Sequence, residues 1–539
     1  MKDILKKHFY FKFNEFCYEN SYFVNFLEKF NLEKFKDYNI IFPYSINTDT
    51  RTFEQNLNII DSLNKDGLKF IKIFVCIKGE NFDSHNFIEQ ILEKNIDLII
   101  IEETFYKTNS KNIIEIFKKY DKSFIVVNSS IKYLGLIANI FIKKVKLIND
   151  IKVIGITGSA GKTTTKNLLS NMLSFFSKEN IIYSKKSFNN ELGVPFTIFS
   201  INKDTKYLVL EMGMRGFNQI NYLANISDVD YGIITSIGPA HVLQVGSIYG
   251  VNKAKGELID YLIKNNKNFF ILPKEYRILN HLKNPNSYVL PNKNYFIYNF
   301  NILNNDSDFY TIFKLKFGKF YKEFKINSIL SKGILRNFLM SLFFINKLLN
   351  LDIEKTNKTK DLKLIDFFEF LEKDLFNISL EDNRFNLKIK DNLFILDDCY
   401  NSNPLSMKEN LNVVFNLINY FDKIYLIFGD MLELGKFSLF YHKLIFNKIL
   451  SLLKISKNKT EVFLVGSEFN KIKSNKNFKN TSFNITFFDS SENLLNYIKE
   501  IYPFVRKEKK EFKNKEDKVL IDVKASRAIH LEKIVNLLL

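Results

Sequence analysis

Val153-Ile-Gly-Ile-Thr157-Gly158-Ser159-Ala160-Gly161-Lys162-Thr163-Thr164 reads as a buried strand, a glycine turn and the first turn of a helix. The run Val153–Thr157 is uncharged and β-branched in part. From about Lys162 onward, Leu168, Leu169, Met172, Leu173 and Phe176 recur at helical spacing and form one apolar face. Strand, turn and helix in that order are the setting of a phosphate loop. Gly158 and Gly161 let backbone N–H groups close on phosphate oxygens, and the helix start adds its positive end. Lys162 has the reach to meet terminal phosphates, and the Thr163 hydroxyl is a hard oxygen donor for Mg2+. The phosphate-binding set is therefore Gly158, Ser159, Ala160, Gly161, Lys162, Thr163 and Thr164, with a nucleotide's phosphates and Mg2+ as the expected ligands. The common form of this loop has a further glycine five residues before Gly161. Ile156 stands there, so this loop is a shortened variant.

On both sides of this unit, apolar strand-type runs alternate with helical periodicity, which predicts α/β units with parallel sheets. Upstream, Ile71–Ile77, Ile96–Ile101 and Phe124–Val127 read as buried strands, followed by a break at the polar stretch near Asn149. Downstream come strands Tyr207–Leu210 and Gly232–Ile237, then Phe269–Ser328, which carries little recognisable pattern. After the charged segment Glu354–Lys363, strands are predicted at Leu393–Leu396, Ile424–Phe428, Val462–Val465 and Val519–Val523. A terminal helix should bury Ile534, Val535 and Leu538. A chain of 539 residues exceeds what one hydrophobic core organises. The expectation is an α/β fold in three domains, 1–148, 149–355 and 356–539: a phosphate-loop parallel sheet in the centre and a Rossmann-like domain at the end.

The formal net charge of +19 would suit a nucleic-acid or anionic-surface binder. The lysines are spread along the chain, however, gathering only in Lys454–Lys479 and Arg506–Lys518, and tryptophan is absent. Compositional drift accounts for the charge, and no nucleic-acid motif accompanies it, so no nucleic-acid partner is expected. The excess would still help attract a multiply anionic nucleotide. Cys17, Cys76 and Cys399 have neither metal-site nor paired spacing, as in a reducing cytosol. No signal-peptide core opens the chain and no uncharged apolar run is long enough to span a bilayer. A cytoplasmic chain without stable membrane insertion follows, expected as a monomer.

Further segments carry chemistry. Glu211, in Leu210-Glu211-Met212-Gly213, sits at the C-terminal end of a strand, where α/β sheets bind ligands and a carboxylate suits Mg2+. Ser187-Phe188-Asn189-Asn190-Glu191-Leu192-Gly193-Val194-Pro195, Ile237-Gly238-Pro239-Ala240-His241 and Lys253-Ala254-Lys255-Gly256-Glu257 flank it in sequence. With the shortened loop, these segments resemble the Mur ligase and folylpolyglutamate synthase superfamily. The resemblance implies that Asn189 and Asn190 lie near ATP and the reacting groups. It also implies that Thr163, Glu211, His241 and a carbamylated Lys255 hold Mg2+, and that Lys162, His241 and Lys255 serve catalysis. Asn337 corresponds to an asparagine near the adenine, while Gly333 replaces the histidine usual four residues earlier.

The last domain narrows the resemblance. Asp397-Asp398-Cys399-Tyr400-Asn401-Ser402-Asn403-Pro404-Leu405-Ser406-Met407, and Gly429-Asp430-Met431-Leu432-Glu433-Leu434-Gly435 with His442 downstream, are similar to the D-alanyl-D-alanine-adding branch of the Mur ligases. The branch that adds the third residue shows D-Y-A-H-x-P at the first segment, and the folate enzymes D-G-A-H-N-P. Val523-Lys524-Ala525-Ser526-Arg527 resembles V-K-G-S-R, with Ala525 for the glycine. Thr48-Asp49-Thr50-Arg51 and Gly79–His85 resemble the segments with which the family grips the uridine nucleotide and sugar-peptide, which implies substrate roles for Thr50, Arg51 and His85. The same likeness puts Tyr400, Asn401, Asn403 and Arg527 on substrate and Arg384 on the nucleotide.

Only seven arginines accompany the many lysines, and Arg51, Arg215, Arg384 and Arg527 fall in motif segments. Lysine cannot supply a planar bidentate fork, so Arg51, Arg384 and Arg527 are expected to bind substrate anions or hold an interdomain ion pair. The implied activity is ATP-dependent formation of an amide between UDP-N-acetylmuramoyl-tripeptide and D-alanyl-D-alanine through an acyl phosphate, in peptidoglycan precursor synthesis. Two other readings compete. One is a ligase of the same superfamily that adds the third residue or extends folates. The other is a basic phosphate-loop ATPase that binds nucleic acid.

Overall fold

The computed structural model describes residues 82–539 apart from 178–180, 186–187, 306–307, 352–361, 377–383, 474–482 and 502–516, together with shorter stretches before residue 82, chiefly 9–12, 26–30, 37–42, 45–49 and 69–80. Three α/β sheets stand in sequence order along the chain. The first has five strands in the order Phe26–Phe30, Ser123–Val127, Leu98–Glu102, Ile73–Val75, Ile46–Asn47. Its outermost strand at Phe26 is antiparallel and the rest are parallel. Leu98–Ile101 and Ser123–Val127 are buried throughout, as uninterrupted apolar runs must be when both sheet faces are covered.

Helix α1 (Ser130–Ile148) joins this sheet to the middle of the molecule. Lys146 Nζ donates to Asp228 Oδ2 at 3.0 Å and Asp230 Oδ1 at 2.8 Å, and Lys267 pairs with the same two carboxylates. Burial acts to raise the Asp228 carboxyl, but the two lysines together hold it at about 2.

The middle sheet is built on β1 (Lys152–Thr157), which leads through the loop into α2 (Lys162–Ser177). β2 (Tyr207–Glu211) and β3 (Tyr231–Ile234) flank β1 on opposite sides in a six-stranded parallel sheet. Because the chain returns to both sides of β1, a crevice opens at that strand's C-terminal end. The strand expected at Gly232–Ile237 stops at Ile234, since Thr235 and Ser236 turn their hydroxyls to the loop. Thr235 Oγ1 donates to Ala160 O at 2.6 Å, and Ser236 Oγ accepts from Ala160 N at 2.9 Å. α3 (Ile248–Lys264) lies behind β1 and β3, close enough that Leu258 and Leu262 touch Gly155 and Gly232.

The segment without a sequence pattern contains strands Phe270–Pro273 and Ser287–Leu290 at the edge of the same sheet. It continues as a three-stranded antiparallel sheet, Tyr295–Asn305, Asp308–Phe317 and Phe320–Ile326. Phe313 and Phe317 of that sheet meet Phe338 and Phe343 of α4 (Lys332–Leu349). α5 (Leu362–Lys373) follows the charged segment but packs back on the middle unit. Phe368 stacks on Phe320 at 4.9 Å and Phe367 meets Phe176 at 4.8 Å.

The last sheet contains β4 (Leu393–Asp398), β5 (Lys423–Gly429) and β6 (Val519–Lys524), with α6 (Pro404–Leu417) and α7 (Ser438–Ser456) among its helices. Its six strands run Asn386–Lys390, β4, β6, β5, Thr460–Val465, Ile485–Phe488, the first antiparallel and the others parallel. Insertion of β6 between β4 and β5 sets Asp398 and Lys524 side by side at the sheet's C-terminal edge. The terminal helix Glu532–Leu538 buries Ile534, Val535 and Leu538, as read from the sequence.

Candidate active site

The C-terminal edges of the middle and last sheets border one cleft of about 670 Å³. Its floor is the loop after β1. Gly161 has φ +82°, and a Cβ there would stand 2.4 Å from Asn337 Nδ2, so glycine is required both by conformation and by the close approach of α4. Ser159 Oγ donates to Gly238 O at 2.9 Å, tying the loop to the turn after β3. Lys162 Nζ folds back to donate to Gly158 O at 2.9 Å. Burial lowers the basicity of this amine and Arg384 lowers it further, against the pull of Glu211 and Glu433. Such a cation gains greatly from an arriving anion.

Glu211, at the end of β2, is the hub of one arm. Its Oε2 accepts from Thr163 Oγ1 at 2.6 Å and its Oε1 from Asn189 Nδ2 at 2.8 Å. Asn190 lines the cleft while its Oδ1 accepts from Gly193 N at 2.9 Å, holding the turn into the helix Gly193–Phe199. His241 Nδ1 lies 2.5 Å from Glu433 Oε2 of the last domain, and both residues have positive φ. Burial lowers the His241 basicity in spite of that contact, while the contact itself holds the Glu433 carboxyl below its ordinary range. Thr163 and Glu211 present hard oxygens at one point, as a Mg2+ site needs. Among the described residues, no group of three or more His, Cys, Asp or Glu side chains could hold a metal ion by themselves. The donor set therefore fits a cation that takes its remaining ligands from phosphate and water.

The last domain closes the cleft. Asn403 caps α6 in a capping box with Ser406, and its Nδ2 reaches across to donate to Ser159 O at 3.1 Å. The Arg384 guanidinium carbon sits 3.8 Å from the centre of the Tyr400 ring, and that of Arg527 sits 5.9 Å away. Lys524 Nζ donates to Asp398 Oδ2 at 2.5 Å and to Asn401 O at 3.2 Å. Burial raises the Asp398 carboxyl against the pull of Lys524.

Of the residues expected from the sequence, Ser159 to Thr164, Asn189, Asn190, Glu211, His241, Asn337, Arg384, Tyr400, Asn401 and Asn403 line this cleft. Gly158 lies just behind it as the acceptor of Lys162. Lys255 is buried on α3. Arg527 stands outside the lining with its side chain 55% exposed. His85 is enclosed in the first domain: Nδ1 meets Asp83 Oδ1 at 2.6 Å, Nε2 accepts from Glu102 N at 3.1 Å, and the ring stacks on Phe105. Thr50 and Arg51 lie outside the described residues.

Reading the sequence missed Asp398, Lys524, Glu433, Arg336 and Glu409, all in the lining. The first three lie inside quoted motifs, but which motif residue faces a ligand is set by packing. His442, from the same motif, is buried and accepts from Met431 N at 3.0 Å. Asp430 accepts from Glu468 N at 2.8 Å and Phe469 N at 3.0 Å, so these two hold the turn that presents Glu433.

Beneath this wall, Asp522 of β6 is fully buried, with Oδ1 accepting from Asn410 Nδ2 at 2.9 Å. Burial pushes its carboxyl up to about 7, Asp398 adding to the rise and Asn410 opposing it. An unfolded aspartate titrates near pH 4, so the folded chain holds the extra proton between about pH 4 and 7, and stability falls as pH rises through that window. Asp522→Asn should remove this slope. Its thermal stability is expected to exceed wild type by up to about 4 kcal/mol at pH 8, with the smallest gain at the acid end. A variant less stable than wild type at pH 8 would show that the carboxylate is paired and useful there.

The family model described as Mur ligase middle domain matches residues 156–344. The chain is 29% identical over 488 residues to a UDP-N-acetylmuramoyl-tripeptide–D-alanyl-D-alanine ligase of Buchnera aphidicola, covering 86% of this chain and 90% of that one. It is 26% identical to the Bacillus subtilis protein of the same name, covering 74% and 76%. Among solved structures, a MurF from Acinetobacter baumannii superposes with TM-score 0.68 at 20% identity over 92% of both chains. A MurF ligase from Thermotoga maritima in complex with ADP superposes with TM-score 0.63 at 21% identity, covering 87% of this chain and 94% of the other.

Proposed function

We propose, from the premise that this chain belongs to the Mur ligase family, that it joins D-alanyl-D-alanine to UDP-N-acetylmuramoyl-tripeptide with cleavage of ATP to ADP and phosphate. The observation that carries the reading is the meeting of two sheet edges in one cleft. A phosphate loop comes from the middle domain, and Tyr400, Asn401 and Asn403 of the D-alanyl-D-alanine-type motif come from the last, joined by the Asn403–Ser159 contact.

An oxygen of the tripeptide's terminal carboxylate forms a bond to the γ-phosphorus as the bond to ADP breaks, giving an acyl phosphate. The dipeptide amine then attacks the acyl carbon, loses a proton, and phosphate leaves. Lys162 and the loop N–H groups orient the phosphates and offset the charge that develops on them. Arg384, stacked on Tyr400, offers its fork to an anion in the same cleft. Thr163, Glu211 and His241, with Lys255 if carbamylated, would hold Mg2+, which would neutralise charge at the transferring phosphoryl group. Water has to be kept from the acyl phosphate, which it would hydrolyse.

In this proposal domain 1–148 holds the uridine nucleotide and sugar-peptide through Thr50 and Arg51, with His85 shaping the domain from inside. Domain 149–355, with α5 packed on it, binds ATP, and the rest of 356–539 brings the dipeptide, with Arg527 at the rim. The enzyme acts in the cytoplasm as a monomer. Among the described residues no helix is long and apolar enough to cross a membrane.

The test is phosphate release from the purified chain with ATP, UDP-muramoyl-tripeptide and a panel of amines. D-alanyl-D-alanine should be the amine that drives turnover. If meso-diaminopimelate, lysine or ornithine with the muramoyl-dipeptide supports ADP formation and D-alanyl-D-alanine does not, the chain belongs to the third-residue-adding branch.

A further inference from the structure

The second arm of the cleft holds polar atoms that the protein leaves unused. It starts at Gly161, where Asn337 of α4 touches the phosphate loop, and continues between α4 and α6. The arm on the other side of the loop carries Thr163, Glu211 and His241, where phosphoryl transfer takes place in the reading above. A nucleotide with its phosphates on the loop must therefore send its base between α4 and α6.

Four buried atoms in that arm have no protein partner: Asn337 Oδ1, Glu409 Oε2, Asn410 Oδ1 and Arg336 Nε. They are not halves of a latch waiting for the domains to close. The Asn403–Ser159 and His241–Glu433 contacts are already made, and Arg336 and Glu409 still do not meet. Arg336 instead pairs through Nη1 with Glu275 at 3.5 Å. Buried polar atoms without partners are costly unless a ligand satisfies them.

The chemistry of the four favours one kind of base edge. An asparagine amide can turn to offer either oxygen or N–H, so Asn337 adapts to either edge, whereas Asn410 is held by its Nδ2 bond to Asp522 and offers its oxygen. A carboxylate only accepts. Glu409 is therefore the group that cannot tolerate a second acceptor opposite it. Glu409 lines the cleft beside Gly333, where a Cβ would come to 3.8 Å from Glu409 Cγ, so its carboxylate stands against α4 at the wall of this arm. Adenine presents an amino donor at C6, whereas hypoxanthine and guanine present an oxygen there. We propose that Glu409 reads the 6-amino group of the nucleotide's base and makes the site selective for adenine over 6-oxo purines. This rests on the ATP-site reading, and Arg336 Nε supplies the donor for a ring nitrogen.

The test is calorimetric titration of the full chain with ADP and with IDP, for wild type and for the isosteric Glu409→Gln, with a thermal melt of each. Wild type is expected to prefer ADP by about a hundredfold or more, because a 6-oxo base leaves the carboxylate unpaired against an acceptor. In Glu409→Gln, whose amide can donate, that preference should fall at least tenfold, largely through tighter IDP. Equal binding of ADP and IDP by wild type, or an unchanged preference in a folded Glu409→Gln, overturns the Glu409 assignment alone. Binding of neither nucleotide by wild type overturns the nucleotide site with it.

Discussion

Lys162→Ala should lower the rate of ADP formation by about three orders of magnitude. The amine is partly buried at the floor of the cleft, its basicity is depressed by desolvation, and its contact is the carbonyl of Gly158. Removing a partly buried cation of this kind costs the fold little, so the melting temperature of the variant should stay near or above that of wild type. The loss would then lie in transition-state stabilisation, since the phosphoryl group carries its charge into the reach of this side chain. Two measurements on one preparation decide the matter: amine-dependent phosphate release and a thermal melt. Near-normal turnover in a folded variant would remove the phosphate-loop assignment, and with it the direction in which the base was placed.

What could be read from the chain depended on whether the physics was local. β1 and β2 carry apolar runs with both faces covered, and β6 keeps such a run around Asp522, so each is legible in the sequence to within a residue or two. The sheet at 295–326 escaped notice for the opposite reason. Phe309, Phe313 and Phe317 point inward, but the outward positions include Phe296, Tyr310 and Ile312, so the alternation that marks a half-exposed strand is erased. Lysines cover that outer face, with Lys325 Nζ 4.3 Å from the Tyr310 ring and Lys316 Nζ 5.6 Å from that of Phe296. The motif segments converge on one cleft, but nothing in them sorts lining residues from supporting ones. Asn190, Asp430 and His442 all hold turns, while Glu433 and Lys524 face the cleft. Pairings such as His241 with Glu433 or Asn403 with Ser159 join residues far apart in sequence, and nothing local in either segment specifies the partner.

Lys255→Ala should cost activity by at least about a hundredfold, and added acetate or another short carboxylate should restore part of it. Lys255 is 1% exposed on α3, and burial, with Lys162 adding to it, puts its basicity well below the ordinary lysine range. Glu257, the acidic group that opposes this, has its carboxylate engaged by Asn218 N at 2.6 Å and Asn221 N at 3.1 Å. A buried ammonium without an ion pair is a poor structural choice, whereas a carbamate formed with CO2 would turn the same side chain into an anionic oxygen ligand. Thr163 and Glu211 offer few oxygens for the charge that ATP brings, so the added ligand has a clear use. Lys253 is the internal control. It is exposed, lies 6.0 Å from the Phe217 ring, and points away from Lys255 on the same helix. Lys253→Ala should neither lose activity nor respond to acetate. Full activity in Lys255→Ala would refute the assignment, and so would an unmodified ammonium at Lys255 in a Mg-ATP-bound crystal grown with bicarbonate. A loss that no small carboxylate relieves would mean that the side chain serves packing, because a vacated ligand position accepts a replacement oxygen and a damaged core does not.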